Sequence, residues 1–232
     1  MTQAGEAFLH EARHILAALD RAIQVARHTA NGTAAPLRLG VTSDTATNRL
    51  AATLRSFPQH EVVINDGFTA DHRIMLDNGM LDLVLLPAST IVGHAHSETL
   101  WQEEIHLAVP AFHPLAIEGT IDIHHLPDIP LIIGSRDHCW AANHALTSAC
   151  QAIGVDIGTV VTARSLEVRL MLVTAGFGVT ALPAGSPALT TATGIVGRPL
   201  APSLSLTIAA AWPKSGLTTV ARRFLDLARS VA

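Results

Sequence analysis

Leu37-Arg38-Leu39-Gly40-Val41-Thr42-Ser43-Asp44-Thr45-Ala46-Thr47 decides the fold class of this chain, because a short apolar run leads through a glycine into a cluster of hydroxyl side chains. Apolar residues then recur at helical spacing over residues 50–57, and Pro58 ends that pattern. The stretch therefore predicts a strand, a turn at residues 43–47 and a helix. Open α/β sheets bind ligands beyond the carboxyl ends of such strands.

The turn at residues 43–47 has two interpretations. The first N–H groups of the helix that follows lack partners within the helix, so the turn is suited to holding a ligand. Alternatively, Asp44 or Thr45 only caps that helix. For one strand, turn and helix taken alone, the cap is the more common explanation. Evidence for ligand binding has to come from the rest of the chain.

Strands and helices alternate along the remaining sequence in two similar halves. The predicted strands are 37–42, 61–65, 81–87, 104–110, 130–134, 158–162, 178–182 and 204–210, and the predicted helices after the first are 45–57, 69–78, 138–153, 165–175 and 217–231. This alternation indicates parallel sheets with right-handed crossovers.

The predicted fold class is α/β, with two Rossmann-like lobes joined by two crossover strands and preceded by a long helix. The first lobe takes residues 37–109 and 208–232, and the second takes residues 110–207. A cleft between two such lobes is a natural ligand site.

The long helix over residues 2–30 carries a heptad seam. Its apolar residues are spaced alternately by four and three, at Phe8, Ala12, Ile15, Leu19, Ala22 and Ala26. A seam sustained at this spacing indicates a partner helix, although an ordinary amphipathic helix on its own domain fits as well. Residues 1–31 are therefore predicted to be a linker and dimerisation helix.

Composition limits the class of protein. The 232 residues are 49% hydrophobic and 15% charged, with a formal net charge of −4, which argues against binding of a phosphate backbone by the body of the chain. Cys139 and Cys150 are the only cysteines, and both are expected to be reduced. Neither a signal peptide nor an apolar run long enough to span a bilayer is apparent, so a cytoplasmic protein is expected.

Thirteen histidines raise the question of a metal site. The closest pairs are His10 with His14, His94 with His96, and His124 with His125, and none is joined by further ligands at zinc-site spacing. Nucleophile-elbow, phosphate-loop and zinc-protease motifs are also missing from the sequence. The expectation is a protein without metal, cofactor or enzymatic activity.

The chain resembles the LysR-type transcriptional regulators in five stretches that occur in the family's order. They are Thr2-Gln3-Ala4-Gly5-Glu6-Ala7-Phe8-Leu9, Leu37-Arg38-Leu39-Gly40, Asn78-Gly79-Met80-Leu81-Asp82-Leu83, Val109-Pro110 with His113-Pro114-Leu115-Ala116, and Val173-Thr174-Ala175-Gly176-Phe177-Gly178-Val179 with Leu182-Pro183. Each stretch alone is a weak signal, but together they span nearly the whole chain.

The resemblance implies a winged helix-turn-helix, a linker helix that pairs protomers, and an effector domain similar to type 2 periplasmic binding proteins. Met1 directly precedes the linker motif, so the winged helix-turn-helix is expected to be missing. DNA would then be contacted only through that missing domain. A homodimer is expected, with a tetramer in the intact regulator.

The resemblance also implies a small-molecule effector between the lobes, most often a small organic anion. The matching positions are Thr42, Ser43, Asp44, Thr45, Phe68, Thr69, Gly134, Ser135, Arg136, His138, Trp140, Arg164 and Ser165. In the second lobe, Arg136 could hold a carboxylate or phosphate, His138 could donate and Trp140 could stack, or the segment is a solvated turn.

Asp44 departs from the family, in which many members place Ser or Thr. A carboxylate here would repel a bound anion unless it caps its own helix, which is the favoured account, or pairs with an amino group of the ligand. The effector is accordingly expected to be a small organic acid or an amino-acid-like molecule.

Three functions follow in order of preference. The first is the effector-sensing domain of a LysR-type regulator, and the alternative is a free-standing solute-binding protein of the same fold. An enzyme comes third, because no residue set supplies a nucleophile with its base.

Overall fold

The structure is a computed structural model that describes residues 2–32, 35–91, 96–127, 129–134 and 141–231. The helices are α1 Gln3–Ala30, α2 Asn48–Arg55, α3 Thr69–Asp77, α4 Ala141–Ala152, α5 Leu166–Thr174, α6 Ala188–Thr191 and α7 Thr219–Val231. The strands are β1 Leu37–Val41, β2 Val62–Asp66, β3 Leu83–Pro87, β4 His96–Pro110, β5 Ile121–Asp122, β6 Leu131–Ile133, β7 Thr159–Thr162, β8 Thr180–Pro183, β9 Ile195–Ala201 and β10 Ser205–Trp212.

The first lobe is built around β1, which lies between β2 and β3 with all three strands parallel. Leu39 is opposite both Ile64 and Leu83, and its side chain is buried. β10 adds an antiparallel strand beside β3. The parallel strands end at one edge of the sheet, so the turns that follow β1 and β2 meet there.

Gly40 allows helix α3 to pack closely against β1. A Cβ at this position would lie 2.8 Å from the Leu81 Cδ1 atom and 3.2 Å from the His72 Cδ2 atom. Because His72 belongs to α3, the glycine lets that helix approach the strand and fixes the position of its first residue, Thr69.

β4 is the strand that crosses from one lobe to the other. Its residues 96–104 pair with β10, and its residues 105–110 pair with β8 and β9. β10 brings the chain back to the first lobe, starting with Ser205 opposite Glu104. We propose that the lobes divide as expected from the sequence, 37–109 with 208–232 and 110–207.

The second lobe combines the β4-β9-β5 sheet with the parallel pair β6 and β7. The Ile132 N–H donates to the Val179 carbonyl at 2.8 Å, which joins the pair to the segment before β8. Helix α4 covers this lobe with the buried side chains of Leu146 and Cys150.

Helix α7 returns to the first lobe and packs on α2. The rings of Phe57 and Phe224 meet edge to face with centroids 5.4 Å apart, a favourable aromatic geometry. Arg223 Nη1 donates to Glu61 Oε2 at 2.9 Å.

Helix α1 runs for 28 residues. Several of its apolar side chains face solvent, with Phe8 75%, Ile15 67% and Leu19 54% exposed. Among the helices that the structure describes, none combines the length and apolar character needed to cross a membrane.

The structure confirms the predicted α/β class with two lobes and the long first helix. Several details of the sequence prediction were wrong. β4 begins at His96 rather than at residue 104, α2 begins at Asn48 rather than at residue 45, and β5, β9 and α6 were not predicted.

Candidate functional site

A cavity of about 520 Å³ lies between the two lobes. Its walls are the segments that follow β1 and β2 in the first lobe and β7 and β8 in the second. They are contributed by Val41, Thr42, Ser43, Asp44, Ala46, Asp66, Gly67, Phe68, Thr69, Arg164, Ser165, Leu166, Glu167, Ser186, Pro187 and Ala188. The size suits a small organic molecule.

Seven of the thirteen site residues predicted from the sequence line this cavity: Thr42, Ser43, Asp44, Phe68, Thr69, Arg164 and Ser165. Thr45 and Gly134 are buried and do not contribute to its walls. Ser135, Arg136, His138 and Trp140 lie outside the described residues, so their predicted roles stay predictions.

Thr45 holds the turn rather than facing the cavity. Its hydroxyl oxygen accepts from the Thr42 N–H at 2.9 Å and donates to the Thr42 carbonyl at 3.0 Å. These bonds close the chain into a tight turn directly after β1, which positions Ser43 and Asp44 at the cavity.

Asp44 does not cap its own helix, so that prediction was wrong. Its Oδ2 atom accepts a hydrogen bond of 2.8 Å from the N–H of Ala141, the first residue of α4 in the second lobe. The N-cap of α2 is instead Thr47, whose hydroxyl makes no cap bond and donates to Glu103 Oε1 at 2.8 Å. Asp44 therefore links the lobes.

The Asp44 carboxyl is 3% exposed. Burial raises the pKa of Asp44 to about 6, and the Ala141 N–H, the Arg169 charge and the Ala142 N–H act in the opposite direction. A carboxylate with this pKa is still mostly ionised at pH 7. The fully buried Arg169 on α5 supplies the nearby positive charge.

Arg169 belongs to a polar network below the cavity. Its Nη1 atom donates to the Thr180 hydroxyl at 3.3 Å, and that hydroxyl donates to Asn143 Oδ1 at 3.4 Å. Asn143 Oδ1 also accepts from the Ala181 N–H at 2.9 Å. The network ties α4 and α5 to β8, so the partners of Asp44 in the second lobe are held in place.

Arg164 and Phe68 meet across the cleft. The Arg164 guanidinium carbon lies 6.0 Å from the centroid of the Phe68 ring, the distance of a cation–π contact. Beside it, Ser165 caps α5, since its hydroxyl accepts from the Val168 N–H at 3.3 Å. Arg164 is the only Lys or Arg among the cavity-lining residues of the described chain.

Nine lining residues were not among the site residues predicted from the sequence: Val41, Ala46, Asp66, Gly67, Leu166, Glu167, Ser186, Pro187 and Ala188. Asp66 and Gly67 lie at the end of β2, and Ser186, Pro187 and Ala188 follow β8, so the rule that ligands lie beyond strand ends could have found these five. With them, three carboxylates and one guanidinium line the cavity.

His72 supports this part of the site from below. Its ring is buried in α3, and the Nε2 atom lies 3.1 Å from the place of a Cβ on Gly67. Burial lowers the pKa of His72, while contacts with Asn65, Asp66 and Asp71 raise it. The net effect is a lowered pKa, so a neutral imidazole packs against Gly67 of the cavity wall.

Within the parts of the chain that the structure describes, no three His, Cys, Asp or Glu residues come together as a metal site would require. His124 forms a surface pair with Asp122, at 2.7 Å between Nδ1 and Oδ1. The side chains of His10 and His14, and residue His94, lie outside the described part.

The family model of the LysR substrate binding domain matches residues 30–232. The chain is 26% identical over 193 residues to the HTH-type transcriptional regulator AlsR of Bacillus subtilis (strain 168), covering 82% of this chain and 64% of that protein. It is 28% identical over 188 residues to the DNA-binding transcriptional dual regulator OxyR of Escherichia coli (strain K12), covering 79% of this chain and 61% of that protein. The chain thus spans less than two thirds of either relative.

Solved structures give the same result for the fold. The crystal structure of CbnR, a LysR family transcriptional regulator, superposes with a TM-score of 0.79 at 20% identity, over 100% of this chain and 82% of that one. The reduced form of the OxyR regulatory domain from Pseudomonas aeruginosa has a TM-score of 0.68 at 25% identity, over 85% of this chain and 96% of that one.

Proposed function

The chain belongs to the LysR family of transcriptional regulators, with residues 30–232 as its substrate-binding domain, and we propose that this domain binds a small organic metabolite between its lobes and passes the signal to a DNA-binding domain. The named relatives are regulators, and this chain is a regulator domain rather than an enzyme. A regulator that acts on DNA would work in the cytoplasm.

One observation carries the proposal: the cavity has walls from both lobes. Thr42 and Phe68 come from the first lobe, and Ser165 and Pro187 come from the second. A ligand that touches both walls binds one relative arrangement of the lobes more tightly than others. Such a difference in affinity is what shifts a conformational equilibrium.

The effector we propose is a small organic acid or an amino-acid-like molecule. The first residues of α3 and α5 face the cavity, where helix N-terminal N–H groups favour an acidic group. Arg164 adds a positive charge, while Asp66 and Glu167 favour an amino group. Both kinds of group find partners in this cavity.

Several relatives are named hydrogen peroxide-inducible genes activators. Peroxide reacts with an accessible thiolate. Cys150 is fully buried, and burial raises the pKa of its thiol, which disfavours the thiolate. Cys139 lies outside the described residues. We therefore favour an organic effector.

We also propose that α1 pairs two protomers, that the intact regulator forms a dimer or tetramer, and that DNA is bound only through the DNA-binding domain. Support comes from the heptad seam with its exposed apolar side chains. The seam also argues against the alternative, a free-standing solute-binding protein, because such a protein is expected to be a monomer without a pairing helix.

The test is a thermal-shift screen of organic acids, amino acids and amines against the purified chain. A true effector at 100 times its dissociation constant adds about 2.7 kcal/mol to the stability of the folded state. Ala46→Trp, which fills the cavity wall, should abolish the shift, whereas Ala51→Trp on the exposed side of α2 should preserve it. A panel without any shift, or equal shifts in both variants, would contradict the proposal.

A further inference from the structure

One side chain of the protein already occupies a place where an effector anion could bind. The α4 helix starts at Ala141, and the N–H of this residue donates to Asp44 Oδ2 at 2.8 Å. Asp44 also lines the cavity and is nearly fully buried. The N-terminal end of α4 is thus neutralised by a carboxylate from the opposite lobe, 97 residues away in sequence.

The charges around Asp44 complete this arrangement. The buried guanidinium of Arg169 attracts the Asp44 carboxylate. A ligand carboxylate at this place would lie close to the charge of Asp44 and be repelled by it. The Ala141 N–H would not be available to it, because that N–H already donates to Asp44. Juxtaposed like charges in a desolvated site are strongly unfavourable.

We propose that Asp44 determines which effectors the cleft accepts: it excludes a ligand anion from the start of α4 and selects an effector that presents an ammonium or neutral donor group on that side. This inference rests on the proposed effector site. Any acidic group of the effector is then left to Arg164, which lies over the Phe68 ring, and to the first N–H groups of α3 and α5. Asp66 and Glu167 in the same walls further favour a positively charged group.

Formate tests the occupied anion place without knowledge of the effector. Asp44→Ala removes the atoms of one formate ion and leaves the Ala141 N–H without this acceptor, next to the positive charge of Arg169. Formate should therefore raise the melting temperature of Asp44→Ala in a saturable manner by roughly 2–4 °C over matched chloride. The parent, and Asp44→Asn as an isosteric control that leaves no space, should not respond.

A second variant protects the experiment against a failure to fold. Asp44→Ser also removes the carboxylate and keeps a small polar side chain, so it should show the same formate response. An equal response in the parent would overturn the proposal, and so would the absence of a response in both the Ala and Ser variants.

Effector selection is tested with matched ligand pairs by calorimetry: succinate with aspartate, and propionate with alanine. The parent should bind the amino member of a pair at least ten times more tightly, and Asp44→Asn should remove this preference. Equal or tighter binding of the plain acids by the parent would refute the selection. If no ligand of the screen or of these pairs binds either protein, the effector site itself is contradicted, whereas the formate response still decides the role of Asp44.

Discussion

Asp44 shows how one side chain acquires a role that its own neighbourhood does not specify. Local sequence places it in a turn before a helix, where aspartate normally caps. The cap position of α2 is taken by Thr47, and the Asp44 carboxylate reaches Ala141 in the other lobe. A contact between residues 97 positions apart depends on how the lobes close, and no pattern within the turn reports it.

The ionisation of Asp44 should make stability depend on pH. The folded-state pKa is raised from 3.8 to about 6, so the folded protein binds the proton more tightly than the unfolded chain. The contribution of this group to stability is therefore lost as pH rises from about 4 to 6. The full difference is on the order of 3 kcal/mol.

Urea denaturation between pH 4 and 7.5 measures this effect. As pH rises to about 6, the free energy of unfolding of the parent should fall relative to that of Asp44→Asn. Above that pH the difference between the two proteins should stay constant. Ser43→Ala, which changes a neighbouring residue without a titratable group, should follow the parent at every pH. A difference between parent and Asp44→Asn that does not change with pH would contradict the assignment.

At the scale of elements, the sequence predicted those whose hydrophobic pattern matches their burial. β3 is a continuous apolar run buried on both faces, and β1 is interrupted only by the half-buried Arg38, and both strands were found. β9 was missed because Gly197 and Pro199 interrupt its pattern and its middle residues are half-buried. The first part of β4 was missed because it is polar and exposed. It belongs to the sheet through its pairing with β10.

Helix α1 leads to a prediction about assembly. Its exposed Ile15 and Leu19 lie on the heptad seam, and burying them against a second helix would remove apolar surface from water. Leu19→Lys should therefore shift the protein from dimer to monomer by at least tenfold in dissociation constant. Light scattering coupled to size exclusion over a concentration series measures this change.

Ala18→Lys is the matched control, because Ala18 is exposed on the same helix and lies off the seam. It should leave the dissociation constant unchanged. If the parent is monomeric at every concentration, or if the two variants weaken the dimer equally, pairing through the seam is wrong.

At the scale of the whole molecule, the sequence predicted two lobes and three of the strand ends that border the cleft, those of β1, β2 and β7. It did not predict the contacts that hold the lobes against each other. Those contacts come from residues without a distinctive pattern. The Asn48 N–H donates to the Gly185 carbonyl of the second lobe at 2.8 Å. Glu103, buried on the crossing strand β4, accepts from Thr47 beside it.

Gly185 shows how tightly these three segments meet. A Cβ at this position would lie 3.1 Å from Glu103 Oε2 and 3.2 Å from the Thr47 Cβ. The Thr47–Glu103 bond therefore lies where the first lobe, the crossing strand and the second lobe come together. Losing its donor would leave a buried carboxylate oxygen without this partner, at a cost of about 1–3 kcal/mol.

Thr47→Val should accordingly destabilise the protein by this amount in urea denaturation. Thr53→Val is the control, because Thr53 is also buried but its hydroxyl donates to the Arg49 carbonyl within its own helix. In a double-mutant cycle with Glu103→Leu, Thr47→Val should show a coupling energy of at least about 1 kcal/mol, and Thr53→Val should add within about 0.5 kcal/mol. Additive behaviour of Thr47 and Glu103 would mean that their bond does not help to hold the lobes together.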